Sequence, residues 1–431
     1  MSFKSDLSIF GKLVPALVFL FPVFCWTIAG YASFVLVLFF MASLLYSIYR
    51  FRCFFANRDR QFWFYFLVLA SPFFCEVAAQ VGRGEIVFSM LDGPARFLAA
   101  AVVFVVLSRL ERSDLVSWFS RGAGVAILFT FIVLLIVSLQ ENPGYLSKWG
   151  LEGSGGRWAL DFADPINLAV YIVSFLGLVM GSYELKKSNA LKEITILLPL
   201  FLMACVIAVR AQSRTSWVAL VIVTEVFLLF RFYHQKKKLV VINCFLLFGI
   251  LAALAYFPVI WERIDLAAQN IMSFFNGSIG TSLGVRIELF FLDLDLIREY
   301  PVFGIRDGML PDRDSLTGVA PLIYDMKLRA GSHTEIAAQL TRKGVLFGSI
   351  TVWALFLYPL FLLAKTFRHA TTDMRFSLQS AALFFIAIFV SSFSIQVLNL
   401  KMTSSIYGFF LAVFFSSVYQ ENKYNLGTRT L

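Results

Sequence analysis

Charged residues are scarce in this sequence. Asp, Glu, Lys and Arg account for 15% of the 431 residues, whereas soluble globular domains carry about 25%. Hydrophobic residues reach 59%, and apolar blocks recur along the whole length. This composition excludes a soluble globular protein, and it also excludes a soluble domain held by one membrane anchor. The sequence therefore predicts an all-α, polytopic membrane protein.

Cysteine and histidine are also rare. None of the five cysteines forms a CxxC pair, so we interpret them as small core residues and not as disulfide partners or metal ligands. Of the three histidines, only His333 lies outside the predicted cytoplasmic loops. The net charge of +10 is interpreted as cytoplasmic loop charge and attraction for an anionic substrate, with no nucleic acid as partner. The first apolar run has no small-residue cleavage site, so no cleavable signal peptide is predicted.

The apolar blocks have the length of membrane spans. A helix crosses the hydrocarbon core in roughly 20 apolar residues, and about twelve such runs are present. The predicted spans lie near 13–31, 32–49, 62–81, 94–110, 122–140, 165–182, 193–209, 215–232, 239–257, 345–364, 376–395 and 403–419. The chain thus divides into residues 1–257 with spans 1 to 9, a hydrophilic loop at 258–344, and residues 345–431 with spans 10 to 12 and a tail.

The distribution of basic residues predicts the orientation. With both termini in the cytoplasm, the inner segments hold 21 Lys and Arg residues, and the short outer segments hold 7. Cytoplasmic loops carry an excess of Lys and Arg, and long loops are exempt from this rule. The segment 258–344 is therefore predicted to lie on the outer side of the membrane.

Two arginines interrupt the apolar pattern in "RAQSRTSW" (210–217). Arg210 and Arg214 are four residues apart, a spacing that places both on one face of a helix. An arginine at membrane depth is costly and usually meets a partner or lines a wet cavity. We interpret the pair as an anion site that faces the same side as the long loop. The alternative is a pair of side chains that reach the lipid headgroups.

The long outer loop is predicted to be helical in part. "GVRIELFFLDLDLIREY" (284–300) indicates a helix that begins after Gly284, with Arg286 in its first turn, and stops before Pro301. In "GSHTEIAAQLTRKGVLFG" (331–348), Ser332 and Glu335 match a capping box, which makes His333 the first helical residue. The helix dipole would then keep His333 neutral and able to accept a proton. A hydrogen-bonded structural histidine is the alternative.

These segments together resemble a known superfamily. "SRTSWVAL" (213–220), "SLGVRIELF" with "REYPVFG" (282–304) and "SHTEIAAQLTRKGVLFG" (332–348) are similar to motifs of the O-antigen ligases and O-antigen polymerases. "LDGPARFLAA" (91–100) and "RWALDFADPINLAV" (157–170) resemble weaker family segments. In the ligase signature, Thr334 and Phe347 depart from the expected residues, which bears on the choice between ligase and polymerase.

The resemblance implies a glycosyltransferase with a membrane fold of the GT-C type in the bacterial inner membrane. Its donor would be a glycan on undecaprenyl diphosphate, bound among membrane lipids. A ligase transfers the glycan to the lipid A–core oligosaccharide, and the active site faces the periplasm. The ligase is the favoured interpretation. A polymerase, a protein O-glycosylating ligase, and, more remotely, a polysaccharide flippase or a scaffold protein are the alternatives.

The chemistry of such a transfer suggests roles for individual residues. The diphosphate leaving group needs charge compensation, which the planar fork of arginine supplies. Arg214 and Arg286 match the family motifs, and Arg210, Arg157 and Arg96 are further candidates for binding the diphosphate. The acceptor hydroxyl needs a general base, and His333 is the candidate. We expect one displacement with inversion, because no carboxylate stands out as a nucleophile. The alternative nucleophiles are Glu76, Asp92, Asp164 and Glu225.

No metal or cofactor is expected. A metal would call for clustered carboxylates, and the candidates are Asp293 with Asp295 and Asp312 with Asp314. Residues two apart on a helix do not face each other. We therefore interpret the first pair as a solvated helix edge.

Overall fold

The computed structural model describes residues 3–49, 59–110, 114–139, 164–183, 190–232, 235, 237, 240–241, 258–276, 281–306, 323 and 332–429, and these contain helices and no strand. The helices are α1 Phe3–Val23, α2 Tyr31–Tyr49, α3 Arg60–Gly82, α4 Phe88–Leu107, α5 Leu115–Leu139, α6 Pro165–Ser182, α7 Ala190–Arg210, α8 Arg214–Phe232, α9 Pro258–Phe275, α10 Ser282–Glu299, α11 Glu335–Val352, α12 Tyr358–Phe367, α13 Thr372–Ser392 and α14 Lys401–Arg429. A π-helical turn, Trp353–Leu357, joins α11 to α12.

Nine helical segments in the described part of the chain are long and apolar enough to cross a membrane. The shorter apolar helices Leu13–Val23 and Tyr31–Tyr46 accompany them. The predicted all-helical, multi-pass class is thus confirmed. The predicted span at 239–257 lies outside the described residues except for 240–241, and the total of twelve stays a prediction. The predicted span at 13–31 extends too far. The helix α1 ends at Val23, one residue after the internal Pro22.

α14 forms the centre of the bundle. Residues 402–419 of this helix are all buried inside the protein, and the helix packs against α2, α3, α4 and α5. Aromatic rings fill this core: Phe410 lies 4.4 Å from Phe384 and 5.0 Å from Phe119 between ring centroids. Small residues permit close helix contact elsewhere. A Cβ on Gly181 of α6 would lie 2.4 Å from the backbone nitrogen of Ser380 on α13.

The polar helix α10 packs outside this core. Thr281 caps it by accepting a hydrogen bond from the Gly284 backbone nitrogen at 3.1 Å. The helix therefore begins two residues before Gly284, and the predicted start after Gly284 is wrong. A separate apolar cluster on α10 includes Leu289 and Leu292. α10 contacts α9 and α11, and these contacts place the side chains of α10 beside the start of α11.

The turn after α10 interlocks with a break in α11. Gly344 has φ +74° inside α11, and Gly304 has φ +66°. The Val345 backbone nitrogen donates to the Pro301 carbonyl at 2.7 Å, and the Ile305 nitrogen donates to the Thr341 carbonyl at 2.8 Å. These hydrogen bonds at the break in α11 hold the segment that follows α10 against α11.

Replacing Gly344 by Ala is expected to destabilise the protein for two reasons. The backbone at Gly344, with φ +74° and ψ 173°, is one that essentially only glycine adopts and costs about 1–3 kcal/mol for a residue with a Cβ, and this Cβ would lie 2.3 Å from the Val302 carbonyl oxygen. Gly84 is a matched control, because it has φ +75° and a Cβ at that position would meet no described atom within 4 Å. Thermal unfolding in detergent should show a further loss of ~1–3 kcal/mol for Gly344→Ala over Gly84→Ala. Equal losses of stability in the two variants would contradict the interlock between this turn and α11.

Candidate functional site

The segment "RAQSRTSW" contains a break between two helices. Arg210 is the last residue of α7, and Arg214 is the first residue of α8. Gln212 between them has φ +53°, and Ser213 accepts a hydrogen bond from the Ser216 backbone nitrogen at 3.3 Å. The prediction that both arginines share one face of one helix is wrong, because the chain turns at this point. Arg210 is exposed, and Arg214 is half-buried.

Arg214 and Arg286 lie near each other. They are close enough for their positive charges to repel, and burial lowers the pKa of the Arg286 guanidinium. Within the residues described, neither guanidinium forms an ion pair with a carboxylate. Two half-buried cations with no carboxylate partner in the described part of the chain form a site with affinity for an anion.

His333 lies next to the start of α11 but outside the helix. The N-cap is Thr334, whose hydroxyl accepts a hydrogen bond from the Ala337 backbone nitrogen at 3.1 Å. The predicted capping box with Ser332 as N-cap is therefore wrong, and His333 is not the first helical residue. The Ser332 hydroxyl instead donates to Asp293 at 2.9 Å. A hydrogen bond to a buried carboxylate is stronger than one to a backbone amide. This difference explains why Ser332 bonds Asp293 and does not cap the helix.

Asp293 positions the segment that carries His333. Its side chain is 1% exposed and accepts from Ser332 and, at 3.5 Å, from Thr341. The prediction of a solvated edge is wrong for Asp293, whereas Asp295 is exposed and pairs with Arg298 at 3.4 Å. Arg286 and Asp293 are about two turns apart on α10 and share one face. The same face of α10 thus carries Arg286 and, through Asp293, binds Ser332, the residue before His333.

The chain between α13 and α14 connects the other parts of the site. Thr215, next to Arg214, is hydrogen-bonded to Ser394 at 2.7 Å between hydroxyl oxygens. The Glu335 backbone nitrogen, two residues after His333, donates to the Ile395 carbonyl at 3.2 Å. Through these contacts the starts of α8 and α11 meet at one connection. The predicted residues Arg214, Arg286 and His333 therefore belong to one region, which we call the arginine–histidine site.

Arg96, another of the predicted arginines, is bound by residues outside this site. Arg96 lies within α4, where it is paired with Asp92 at 2.9 Å and donates to the Ser405 hydroxyl at 3.1 Å. Asp92 also pairs with Lys401 at 2.6 Å. Arg157 lies outside the described residues, as do Asp312 and Asp314. Among the residues described, no group of three His, Cys, Asp or Glu side chains is arranged to hold a metal.

Sequence reasoning missed a buried charged cluster between α3 and α11. Glu76 is fully buried, and its carboxylate lies 3.2 Å from Arg342 and 3.7 Å from Lys343. Gln80 donates to the same carboxylate at 3.0 Å. Lys343 also donates to the Pro72 carbonyl at 3.2 Å. The available signal was an acid inside one apolar run and a base at the edge of another, since such groups pair inside membranes.

A cavity of about 340 Å³ lies beside this cluster. It is bounded by α3, α4, α11 and the connection between α13 and α14. Its volume falls within the range of ~300–1,000 Å³ typical of ligand pockets. The cavity adjoins the arginine–histidine site at the start of α11, because Glu335 and Gln396 line it.

Together, the apolar helices and the buried charged cluster define a multi-pass helical membrane protein with a charged site beside its helix bundle. Comparison of the sequence with protein-family models and with curated proteins gave no match.

Proposed function

We propose that the protein is an O-antigen ligase, an inverting glycosyltransferase of the bacterial inner membrane. It would transfer a glycan from undecaprenyl diphosphate to a sugar hydroxyl of the lipid A–core on the periplasmic side. The observation that carries this proposal is the proximity of Arg214 and Arg286, which repel each other without a carboxylate partner among the described residues. A diphosphate is an anion of matching charge, and guanidinium groups bind its oxygens in pairs.

His333 supplies the second half of the proposed chemistry. The segment 332–334 is held by Asp293, by Gln396, which donates to the Ser332 carbonyl, and by the cap at Thr334. In the proposed reaction the acceptor oxygen bonds to the anomeric carbon of the donor sugar. The bond from that carbon to the diphosphate oxygen breaks, and the acceptor proton passes to the His333 imidazole. The diphosphate leaves on its lipid carrier with both arginines compensating its charge.

The membrane setting of the reaction forms part of the proposal. The carrier lipid would enter laterally from the bilayer between spans, and both chain termini would lie in the cytoplasm. The polymerase remains the second candidate, because it would use the same arginines and histidine with a carrier-linked acceptor. The two candidates differ in their products, because only the ligase places glycan on lipid A–core.

Replacing His333 by Ala is expected to lower the transfer rate about 10²- to 10⁴-fold, as for loss of a general base. The assay uses purified protein in vesicles, glycan-linked undecaprenyl diphosphate and lipid A–core, with EDTA present. His369→Ala is the control, because His369 is exposed between α12 and α13. Glycan on lipid A–core supports the ligase, and a longer carrier-linked glycan supports the polymerase. A folded wild-type protein that gives neither product would overturn the proposal.

A further inference from the structure

The walls of the 340 Å³ cavity combine apolar and polar faces. Met90, Pro94 and Phe97 of α4 supply an apolar face, whereas Gln339, Gln396 and Asn399 lie among its polar lining. A sugar ring presents C–H groups on its faces and hydroxyl groups at its edge, so its surface matches this division. Amide side chains both donate and accept hydrogen bonds, as hydroxyl groups require.

Gln339, one of the residues that line this cavity, carries a buried and unused hydrogen-bond acceptor. Its side chain is 6% exposed, and its amide nitrogen donates to the Glu335 carboxylate at 2.6 Å. Its amide oxygen has no hydrogen-bond partner among the described residues. A buried acceptor without a donor costs about 1–3 kcal/mol, so a ligand with O–H groups would be favoured here. A fully ionised phosphate or carboxylate has no hydrogen to donate.

Arg306 is the cation with the loosest pairing in the cavity lining. It lies 3.8 Å from Glu85 and is 34% exposed. Arg342 and Lys343, by contrast, are held by the buried Glu76. The Arg306 guanidinium can therefore turn from Glu85 to an oxygen atom of a ligand. Donors from Arg306 and an acceptor from Gln339 suit the mixed donors and acceptors of a sugar.

The cavity also lies beside the proposed base. Gln396 lines it and donates to the Ser332 carbonyl, directly before His333. Glu335 lines it two residues after His333, and its carboxylate accepts from the Leu398 backbone nitrogen at 2.9 Å. A sugar in the cavity would therefore lie next to the segment that carries the imidazole.

We propose that this cavity binds one sugar residue of the acceptor glycan, with Gln339 accepting from a hydroxyl and Arg306 donating to a sugar oxygen. The assignment to the acceptor rests on the proposed function. The arginine–histidine site would then bind the donor diphosphate, and the cavity would set which acceptor sugar reaches His333.

Two variants test the cavity by different means. Gln339→Met keeps the length of the side chain and removes the amide, and Ala338→Phe fills the space, because Ala338 lines the cavity. Both are expected to raise the KM for lipid A–core about 10-fold with the KM for the donor unchanged. Leu346→Phe is the matched control, because Leu346 is 60% exposed on the same helix. An unchanged acceptor KM in Gln339→Met and Ala338→Phe would overturn the inference.

A binding measurement separates this inference from the proposed function. Core oligosaccharide released from lipopolysaccharide by mild acid is titrated into the full-length protein in nanodiscs, so no turnover is needed. Wild type, His333→Ala and Leu346→Phe are expected to bind equally, and Gln339→Met about 10-fold more weakly. Cavity-dependent binding without any transfer would reject the ligase and retain a saccharide site. Transfer with equal binding in Gln339→Met, or no binding to wild type, would reject the cavity assignment.

Discussion

Arg286→Gln is expected to lower the transfer rate about 10²- to 10³-fold while raising the unfolding temperature. The rate falls because a donor aimed at the developing charge of the diphosphate is lost. The unfolding temperature rises because Arg286 repels Arg214 and has no carboxylate partner among the described residues. A purely structural arginine would lose stability when neutralised. Opposite changes in rate and stability are therefore the signature of a binding site for an anion.

Arg298→Gln is the matched control for this prediction. Arg298 lies on the same helix, is exposed, and pairs with Asp295, so an exposed pair worth less than about 1 kcal/mol is lost. Inorganic pyrophosphate serves as the probe of binding and should raise the unfolding temperature of wild type and of Arg298→Gln. It should have little effect on Arg286→Gln. A lower unfolding temperature with normal transfer in Arg286→Gln would assign Arg286 to the fold alone.

The helices of the bundle follow directly from the sequence. Each predicted span other than 239–257 overlaps a described helix, because the apolar length needed to cross a bilayer is a local property of the chain. Helix ends were less predictable. The helix stops at Val23 and turns follow it, whereas the apolar run continues to about residue 31.

Candidate members of the site could be named from the sequence, but their arrangement could not. Arg214, Arg286 and His333 stand out as charged or titratable residues beside apolar runs. Sequence spacing placed Ser332 at the cap, but its hydroxyl instead bonds Asp293, 39 residues away in the chain. The pairing of Glu76 with Lys343 joins α3 to α11. Contacts between residues so far apart depend on the packing of helices, which the local pattern does not encode.

Glu76→Gln is expected to be among the most destabilising single changes in the protein. The variant leaves Lys343, which is 1% exposed, without the carboxylate at 3.7 Å. It also removes the counter-charge of Arg342. Removing one member of a buried ion pair costs about 3–5 kcal/mol, because the remaining charge stays desolvated. Thermal unfolding in nanodiscs should show a large loss, and α3 and α11 should separate first because this cluster joins them.

The double variant Glu76→Gln with Lys343→Met shows whether the charge is the cause. Replacing both members removes Lys343, one of the two cations left without a counter-charge, so part of the stability lost in Glu76→Gln should return. Asp295→Asn is the control, because Asp295 is 63% exposed and pairs at 3.4 Å with Arg298, which is 79% exposed. Its loss should stay below about 1 kcal/mol. If the double variant were no more stable than Glu76→Gln, packing and not charge would explain why Glu76 is buried against α11.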